Sequence, residues 1–512
     1  MNRPEIRILE MLESAGFEAY FVGGCVRDAC LRQMQQEMRM QQTSACDGEL
    51  YNSEGKREKP QKIDPERERS LKAAAEKKPT GEQLPAGDVD VTTNALPHQI
   101  KAVFDGWDVI ETGIQHGTVT VLLAADHLSH RAARIPVEIT TYRVDGDYSD
   151  SRHPDRVKFV TSLTEDLRRR DFTINAMACD LRGEVKDPFG GLSDLRGGIL
   201  RAVGDPALRF REDALRIMRG VRFAAVLGFE IEAQTRAAMQ AECERLQQIS
   251  AERVYGEFRK LVAGTYAADA IRSNVDVLAP VLPELAAMKG FRQNNPYHKY
   301  DVLEHCIRAM EVVETTPDNH VYLKMAALFH DIGKTLVYSE DENGIGHFYG
   351  HPAKSKELTD LVLTRLRADH KIIDRVGVLV KYHDLIFERD PRLLKRWMHR
   401  LGPDVMQEIL EIKLADNIAT GNISPELKSK FQEIRCILEE ILAEEQCFSL
   451  KDLAVYGGDL MGIGIKPGPQ MGQILEQLLE DVIEERLPND KQVLLDQAKA
   501  LADLESAADG GR

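Results

Sequence analysis

No run of apolar residues in this chain is long enough to span a bilayer. No two of its cysteines stand in a Cys-x-x-Cys spacing. The first absence excludes a membrane-spanning helix. The second, with eight cysteines scattered along 512 residues, argues against a structural zinc and suits a reducing cytosol. The start, Met1-Asn2-Arg3-Pro4-Glu5-Ile6-Arg7, lacks a signal-peptide pattern and leads into an amphipathic helix. An excess of positive charge is missing too, since the formal net charge is -16. That balance does not exclude a nucleic-acid partner, because binding follows local clusters. Arg168-Arg169-Arg170 and the series Arg209, Arg211, Arg216, Arg219, Arg222 are such clusters. Core-forming material is ample, with 43% hydrophobic residues. The length predicts several domains, about three or four. The expectation is a cytoplasmic protein.

Chemistry enters at Gly87-Asp88-Val89-Asp90-Val91-Thr92-Thr93, which reads as a short β-strand. Residues two apart on a strand face the same way, so Asp88 and Asp90 project together, about 7 Å apart. Paired carboxylates repel unless a cation lies between them, and hard oxygen ligands favour magnesium. An Asp-x-Asp also occurs as a solvated turn, so its neighbours decide. Upstream, Ala19-Tyr20-Phe21-Val22 reads as a buried strand running into Gly23-Gly24-Cys25-Val26-Arg27-Asp28. Glycines between strand and helix let backbone N–H groups approach a phosphate, and Arg27 adds a guanidinium suited to its oxygens.

Residues 33–86 are rich in Gln, Glu, Lys and Arg and too poor in large apolar residues to fold compactly. They read as a solvated insertion, with a part-helical stretch near 66–77. A helix follows near 97–104, then strands at Val109-Ile110, at 118–123 and at 137–143. Glu138 supplies a third carboxylate if its strand lies beside Asp88 and Asp90; otherwise it is a surface glutamate on an edge strand. Residues 144–160 form a polar, turn-rich loop. From 162 to 290 the pattern is mainly helical, with hinge-like glycines in Asp187-Pro188-Phe189-Gly190-Gly191. Asp213 and Arg216 stand three apart on an expected helix, hence on one face. They could form a helix salt bridge. They could also read base edges: Asp accepts from an exocyclic amine and Arg donates to a ring nitrogen. That pairing suits cytosine and adenine and rejects uracil and guanine, without a nucleic-acid template.

Taken in order, Gly23-Gly24-Cys25-Val26-Arg27-Asp28, Asp88-Val89-Asp90, Arg169-Arg170-Asp171-Phe172-Thr173-Ile174-Asn175-Ala176, Asp187-Pro188-Phe189-Gly190-Gly191 and Glu212-Asp213-x-x-Arg216 resemble the bacterial and eukaryotic class of tRNA nucleotidyltransferases, the CCA-adding enzymes. Bacterial poly(A) polymerases are close relatives of that class. Order and rough spacing match through about residue 265, apart from the insertion. The resemblance implies that Asp88 and Asp90 hold catalytic magnesium, and that Gly23, Gly24 and Arg27 contact the triphosphate. It implies that Asp171 and Asn175 recognise the ribose, with Arg170 and Arg219 assisting the nucleotide. Asp213 and Arg216 would be the protein template for CTP and ATP. One departure is the link after Asp28, where Ala29-Cys30-Leu31-Arg32 leads into the long insertion; Pro85 and Gly87 restore the approach to the strand.

A second constellation comprises His305, His330-Asp331, His351, His383 and Asp416. Each histidine alone is ordinary. Their order, with Ala326-Ala327-Leu328-Phe329-His330-Asp331-Ile332-Gly333-Lys334 at the centre, resembles the HD phosphohydrolase superfamily across about 294–420. Such a set can bind one or two divalent metals and activate water against phosphoesters.

Together the resemblances imply an α/β nucleotidyltransferase head of the DNA polymerase beta-like superfamily, followed by mainly α-helical neck, HD and tail domains. The head would occupy 1–180, the neck with its templating helix 181–290, the HD metal-binding domain 291–424 and a tRNA-binding tail 425–512. The expected activity is addition of CCA to the 3′ end of tRNA from CTP and ATP, by two-metal transfer and with no membrane partner. Addition of only CC or only A, and poly(A) synthesis, are alternatives of the same class. An HD phosphohydrolase acting on RNA ends, with the head as an RNA-binding module, is the alternative of another class.

Overall fold

The computed structural model describes residues 5–46, 89–124, 134–145, 157–296, 298–421, 423–444 and 446–509. Asp88, residues 47–86 of the expected insertion, residues 146–156 of the expected loop and the last residues, 510–512, lie outside them. The chain divides into two units, Met1–Ile249 and Ser250–Arg512.

The first unit is built on a mixed sheet. Its strands are β1 (Ala19–Val22), β2 (Val89–Thr93), β3 (Val109–Ile110), β4 (Thr118–Ala124), β5 (Arg134–Thr141), β8 (Ala178–Cys179) and β9 (Val185–Lys186), in the order β3-β4-β5-β2-β1-β8-β9. β6 (Arg143–Asp145) and β7 (Val157–Phe159) form a separate antiparallel pair. The strand expected over 137–143 therefore stops at Thr141, and the fully buried Tyr142 separates it from β6. Among the described residues of the sheet only β2 and β5 pair in parallel, with Asp90 opposite Glu138. β2 also pairs with β1, with Val22 opposite Asp90.

Strand alternation explains the two faces. Val91 of β2 and Val137 and Ile139 of β5 join a buried core with Ile8, Leu9 and Leu12 of the helix Ile6–Ser14 and Ile100 of the helix Pro97–Val103. Asp90, Thr92 and Glu138 are consequently turned to the opposite face. Hydrophobic burial fixes this register, since a one-residue slip would exchange the valines for carboxylates.

One expectation is corrected here. Residues 33–46 do not behave as a loop; they continue the helix Gly24–Cys46. A helix already started at the Gly-Gly turn extends at little cost through Gln, Met, Glu and Arg, which are good helix formers. Gln33 donates to Glu37 one turn later, at 3.0 Å.

Helices Pro206–Glu212, Leu215–Leu227 and Ala233–Glu242 follow within the same unit. The glycines of Asp187-Pro188-Phe189-Gly190-Gly191 have a packing reason. Gly190 has φ +76°, and a Cβ on Gly191 would stand 2.3 Å from the Thr173 carbonyl oxygen. Asp187 accepts from the backbone N–H groups of Gly191 and Leu192 at 2.7 and 2.9 Å.

The second unit is almost wholly helical. Among its helices are Val302–Val312, His320–Phe329, His351–Arg365, His370–Tyr382 and Pro403–Ala419. Towards the C-terminus a separate apolar cluster gathers Val455, Leu460, Ile474, Leu478 and Leu494. Among the described residues no helix is long and apolar enough to cross a membrane.

Candidate active site and metal cluster

On the polar face of the sheet, the turn after β1 closes over β2. Gly23 has φ +76°, and a Cβ there would stand 3.3 Å from Arg170 Nη1 and 3.4 Å from Asp90 Oδ2. The strand carboxylate, the glycine backbone and the Arg170 guanidinium thus meet at one point. Asp90 is half-buried and Glu138, in register beside it, is exposed. Adjacent strands lie about 4.8 Å apart, so these two carboxylates repel one another unless a cation is shared.

Beside this point runs a chain of charge. Arg27 Nη1 donates to Asn175 Oδ1 at 2.9 Å, and Arg27 also pairs with Asp28 at 2.7 Å. Asn175 Nδ2 donates to Asp171 Oδ1 at 3.1 Å, and Arg219 Nε donates to Asp171 Oδ2 at 2.7 Å. The Phe172 N–H is a further donor to Asp171, at 2.8 Å. Burial alone would raise the Asp171 carboxyl, but Arg219, Asn175 and the Phe172 N–H hold it at about 2. The ring of Phe223 lies beneath three guanidiniums, those of Arg222, Arg27 and Arg219, at 3.6, 5.2 and 5.5 Å. Residues distant in sequence, Gly23, Arg27, Asp90, Arg170, Asp171, Asn175 and Arg219, are therefore brought together.

Asp213 and Arg216 are arranged differently from the expectation. They do not share a helix face, because Asp213 is extended (φ -145°, ψ 103°) and breaks the chain between Pro206–Glu212 and Leu215–Leu227. Its Oδ1 accepts from the Leu215 N–H at 3.0 Å, and that local bond favours the break over a continuous helix. The buried Arg216 pairs with Glu212 and donates to the carbonyls of Arg209 and Arg169 at 2.9 and 3.0 Å.

Sequence reasoning missed Asp166 and Phe223. Asp166 is fully buried and receives Arg169, Arg170 and the hydroxyl of Thr92. Its spacing of three and four from the two arginines, which directly follow the helix Leu163–Arg168, was a usable signal. Phe223 stands four residues after Arg219 and directly after Arg222, at the end of the arginine series.

In the second unit all six expected ligands converge. His305 comes from a helix face, His330 and Asp331 follow the end of His320–Phe329, His351 opens its helix, His383 closes His370–Tyr382, and Asp416 lies in Pro403–Ala419. His305 Nε2 lies 3.2 Å from His330 Nε2 and 3.0 Å from Asp416 Oδ1. His351 Nε2 lies 3.2 Å from His383 Nε2. Asp331 stands between the two groups. Its Oδ2 is 3.4 and 3.3 Å from His305 and His330, and its Oδ1 is 3.2 and 3.6 Å from His351 and His383.

Ring protonation follows from the second nitrogens. His330, His351 and His383 each direct Nδ1 at a backbone carbonyl, of Ala327, Phe348 and Val380, at 2.7, 3.0 and 2.7 Å. A carbonyl only accepts, so Nδ1 carries the proton and the neutral ring's lone pair sits on Nε2. Lone pairs then face each other, and a proton or a metal ion must lie among them. Burial works against a charged His330, yet the carboxylates of Asp331 and Asp416 hold it well above the usual imidazole range. Asp331 is held well below the carboxylate range: burial opposes this, but Lys334 and His330 outweigh it. Lys334 Nζ is 2.6 Å from Asp331 Oδ2, and Lys413 Nζ is 3.4 Å from Asp416 Oδ2. His305 Nδ1 is buried without a hydrogen-bond partner among the described residues. A donor set of imidazole nitrogens and carboxylate oxygens fits a divalent cation.

Comparison with known proteins bears on both units. Residues 76–201 match the family described as Poly A polymerase head domain. Residues 228–289 match that described as a probable RNA and SrmB-binding site of polymerase A. Residues 352–498 match a putative tRNA nucleotidyltransferase domain 2. The CCA-adding enzyme of Limosilactobacillus fermentum is 30% identical over 508 residues, covering 97% of this chain and 96% of that protein. That of Leuconostoc citreum is 32% identical over 507 residues, with coverage of 97% and 96%. The crystal structure of Bacillus stearothermophilus CCA-adding enzyme in complex with CTP superposes with a TM-score of 0.62 at 25% identity, covering 100% of both chains. Thermotoga maritima CCA-adding enzyme complexed with tRNA_CCA shares the fold, with a TM-score of 0.51 at 18% identity over 97% of this chain and 94% of that one. With relatives of that identity along nearly its whole length, a polymerase-type head and a helical C-terminal region, the chain belongs to the CCA-adding enzymes, a family of tRNA nucleotidyltransferases.

Proposed function

We infer that this protein adds CCA to the 3′ end of tRNA from CTP and ATP, without a nucleic-acid template, in the cytoplasm. One observation carries the site assignment: the meeting of Gly23, Asp90 and Arg170 beside the linked series Arg27, Asn175, Asp171 and Arg219. The glycine backbone and the guanidiniums of Arg27 and Arg170 receive the triphosphate. Asp171 and Asn175 receive the ribose hydroxyls, since both present polar atoms already oriented by neighbours. Asp213 and Arg216 read the base; for this Arg216 exchanges one of its bonds to Glu212, Arg209 or Arg169 for the nucleotide. tRNA is held through phosphate and shape.

The adjacent carboxylates fit a divalent cation, and Asp88, Asp90 and Glu138 are the residues that would hold it. Magnesium bound there supplies a lowered pKa at the tRNA 3′-hydroxyl and charge stabilisation for the departing pyrophosphate.

The test is incubation of tRNAs ending before CCA, after C and after CC with CTP, ATP, UTP or GTP and magnesium. A product ending in CCA, with UTP and GTP rejected, is expected. Addition of only CC or only A would replace this reading with a partial enzyme, and long A tails with a poly(A) polymerase. Glu138→Gln is expected to lower incorporation by about tenfold, and unchanged incorporation would remove Glu138 from the cation's ligands.

A second reading applies to the other unit. The cluster His305, His330, Asp331, His351, His383 and Asp416 is an HD-type centre for two divalent ions that hydrolyses phosphate esters. The observation behind it is Asp331, whose two oxygens serve the two groups of imidazoles separately. Metal analysis of the purified chain, with hydrolysis of a generic phosphodiester in wild type and His330→Ala, tests it. A metal-free chain inert towards the ester under added manganese, cobalt or zinc overturns it.

A further inference from the structure

Asp166 is, among the described residues, the most deeply enclosed carboxylate of the first unit, with 0% exposure, and no step above uses it. It lies in the helix Leu163–Arg168, yet its bonds reach three other parts of the site. Oδ2 accepts from the Thr92 hydroxyl at 3.1 Å, and Thr92 follows Asp90 by one alternation on the same face of β2. Oδ1 accepts from the Arg143 backbone N–H at 3.3 Å, at the start of β6. Arg169 binds Oδ1 through Nε at 3.0 Å and through Nη2 at 3.0 Å. Arg170 Nη2 lies 3.6 Å from Oδ2. The far side of the same turn is also held, because the Arg169 carbonyl accepts from Arg216 and the Arg168 carbonyl from Arg209.

A buried carboxylate costs several kcal/mol unless it is compensated, and here compensation comes from residues that belong to the reaction. Burial opposes its ionisation, but Arg169 and Arg170 hold its carboxyl below the usual range. Arg170 in turn has a buried Nε with no partner among the described residues, while its Nη1 points at Gly23. A donor left unmatched in an enclosed place beside Asp90 is suited to an incoming acceptor such as a phosphate oxygen.

We propose that Asp166 is a positioning residue for nucleotide addition: it fixes the Arg169-Arg170 turn to the metal strand through Thr92, so that the Arg170 guanidinium is set before the triphosphate arrives. This rests on the reading that the triphosphate lies against Gly23 and Arg170. Because the triphosphate is common to both substrates, Asp166 acts equally on CTP and ATP. Base choice is left to other residues.

The experiment is Asp166→Asn in the full chain, which keeps the acceptor for Thr92 but removes the charge that holds the arginines. The KM for CTP and for ATP is expected to rise by about tenfold each, with KM for tRNA within twofold of wild type. Asp166→Asn added to Arg170→Ala is expected to change KM by less than twofold, because the two act as one unit. Unequal effects on CTP and ATP, or full additivity with Arg170→Ala, overturn the proposal and leave Asp166 a fold-stabilising residue. If Arg170→Ala itself leaves both nucleotide KM values unchanged, the triphosphate reading fails as well. If Asp166→Asn does not fold, Thr92→Val decides: an equal rise of two- to threefold in both nucleotide KM values supports the proposal, and unchanged values overturn it.

Discussion

The head site and the cluster of the second unit solve opposite electrostatic problems. In the head, two buried carboxylates beside the nucleotide site already face cations: Asp171 meets Arg219, and Asp166 meets Arg169 and Arg170. The unmatched Arg170 Nε beside Gly23 suits an anion from outside, and the carboxylates of Asp90 and Glu138, in register on adjacent strands, suit a shared cation. In the cluster, imidazole lone pairs and carboxylates point inward at one another, and a cation alone completes it. The first arrangement suits a substrate that arrives with its metal. The second suits a metal that stays while substrates change.

The largest expected effects separate the two outright. Asp90→Asn should lower nucleotide incorporation about a thousandfold, from several kcal/mol of lost charge stabilisation, and leave any phosphoester hydrolysis intact. Asp331→Asn should do the reverse, with a lower metal content of the purified chain. A loss of both activities in either variant would break the comparison. Metal removal follows in size. Chelation should lower the melting temperature in the wild type and much less in Asp331→Asn. An ion present at about a hundredfold over its Kd stabilises the folded state by about 2.7 kcal/mol.

How much of this was legible in the sequence follows from how each part is encoded. β2 and β5 were readable because burial of Val91, Val137 and Ile139 imposes a two-residue alternation on the chain itself. The six cluster residues were legible through their order, which resembles that of the HD phosphohydrolase superfamily, and not from any one histidine. Asp213 was misplaced because its neighbours have helical periodicity on both sides. A single side-chain bond to the Leu215 N–H decides the break, and no periodicity carries that information. Helix Gly24–Cys46 overran its expected end for the converse reason, since composition marks polarity but not where a helix stops. For Asp166 the spacing from Arg169 and Arg170 was legible, but its reach to Thr92 and Arg143 was not, because only the fold brings those partners to it.

Arg219→Met sharpens the comparison within the head. It leaves Asp171 buried without its guanidinium, and an expected loss of about 2 kcal/mol allows for the partial exposure of Arg219. The pH dependence has a definite sign. The folded-state carboxyl of Asp171, at about 2, lies below its ordinary value of 3.8, so its stabilisation is complete above that value. It is lost as pH falls from 3.8 towards 2. Acid unfolding of Arg219→Met should show a smaller contribution from that interval. An unchanged acid profile would mean that Asn175 and the Phe172 N–H hold the carboxylate without Arg219.

Phe223→Leu is the smallest change and tests whether the head's arginines are held by more than carboxylates. The ring packs edge-on against Phe172, with centroids 5.7 Å apart, and carries the guanidiniums of Arg222, Arg27 and Arg219. Leucine retains most of the buried volume and loses the π-face, so stability should fall by about 1 kcal/mol. The informative quantity is the nucleotide KM. Arg27 and Arg219 also have firm polar partners in Asn175 and Asp171, whereas Arg222 lies nearest the ring. If those polar partners are sufficient, KM for CTP and ATP stays within about twofold, as expected for contacts worth a fraction of a kcal/mol each. A tenfold rise in both would show that the aromatic floor, and not the hydrogen-bonded series above it, keeps the cations apart before the triphosphate binds.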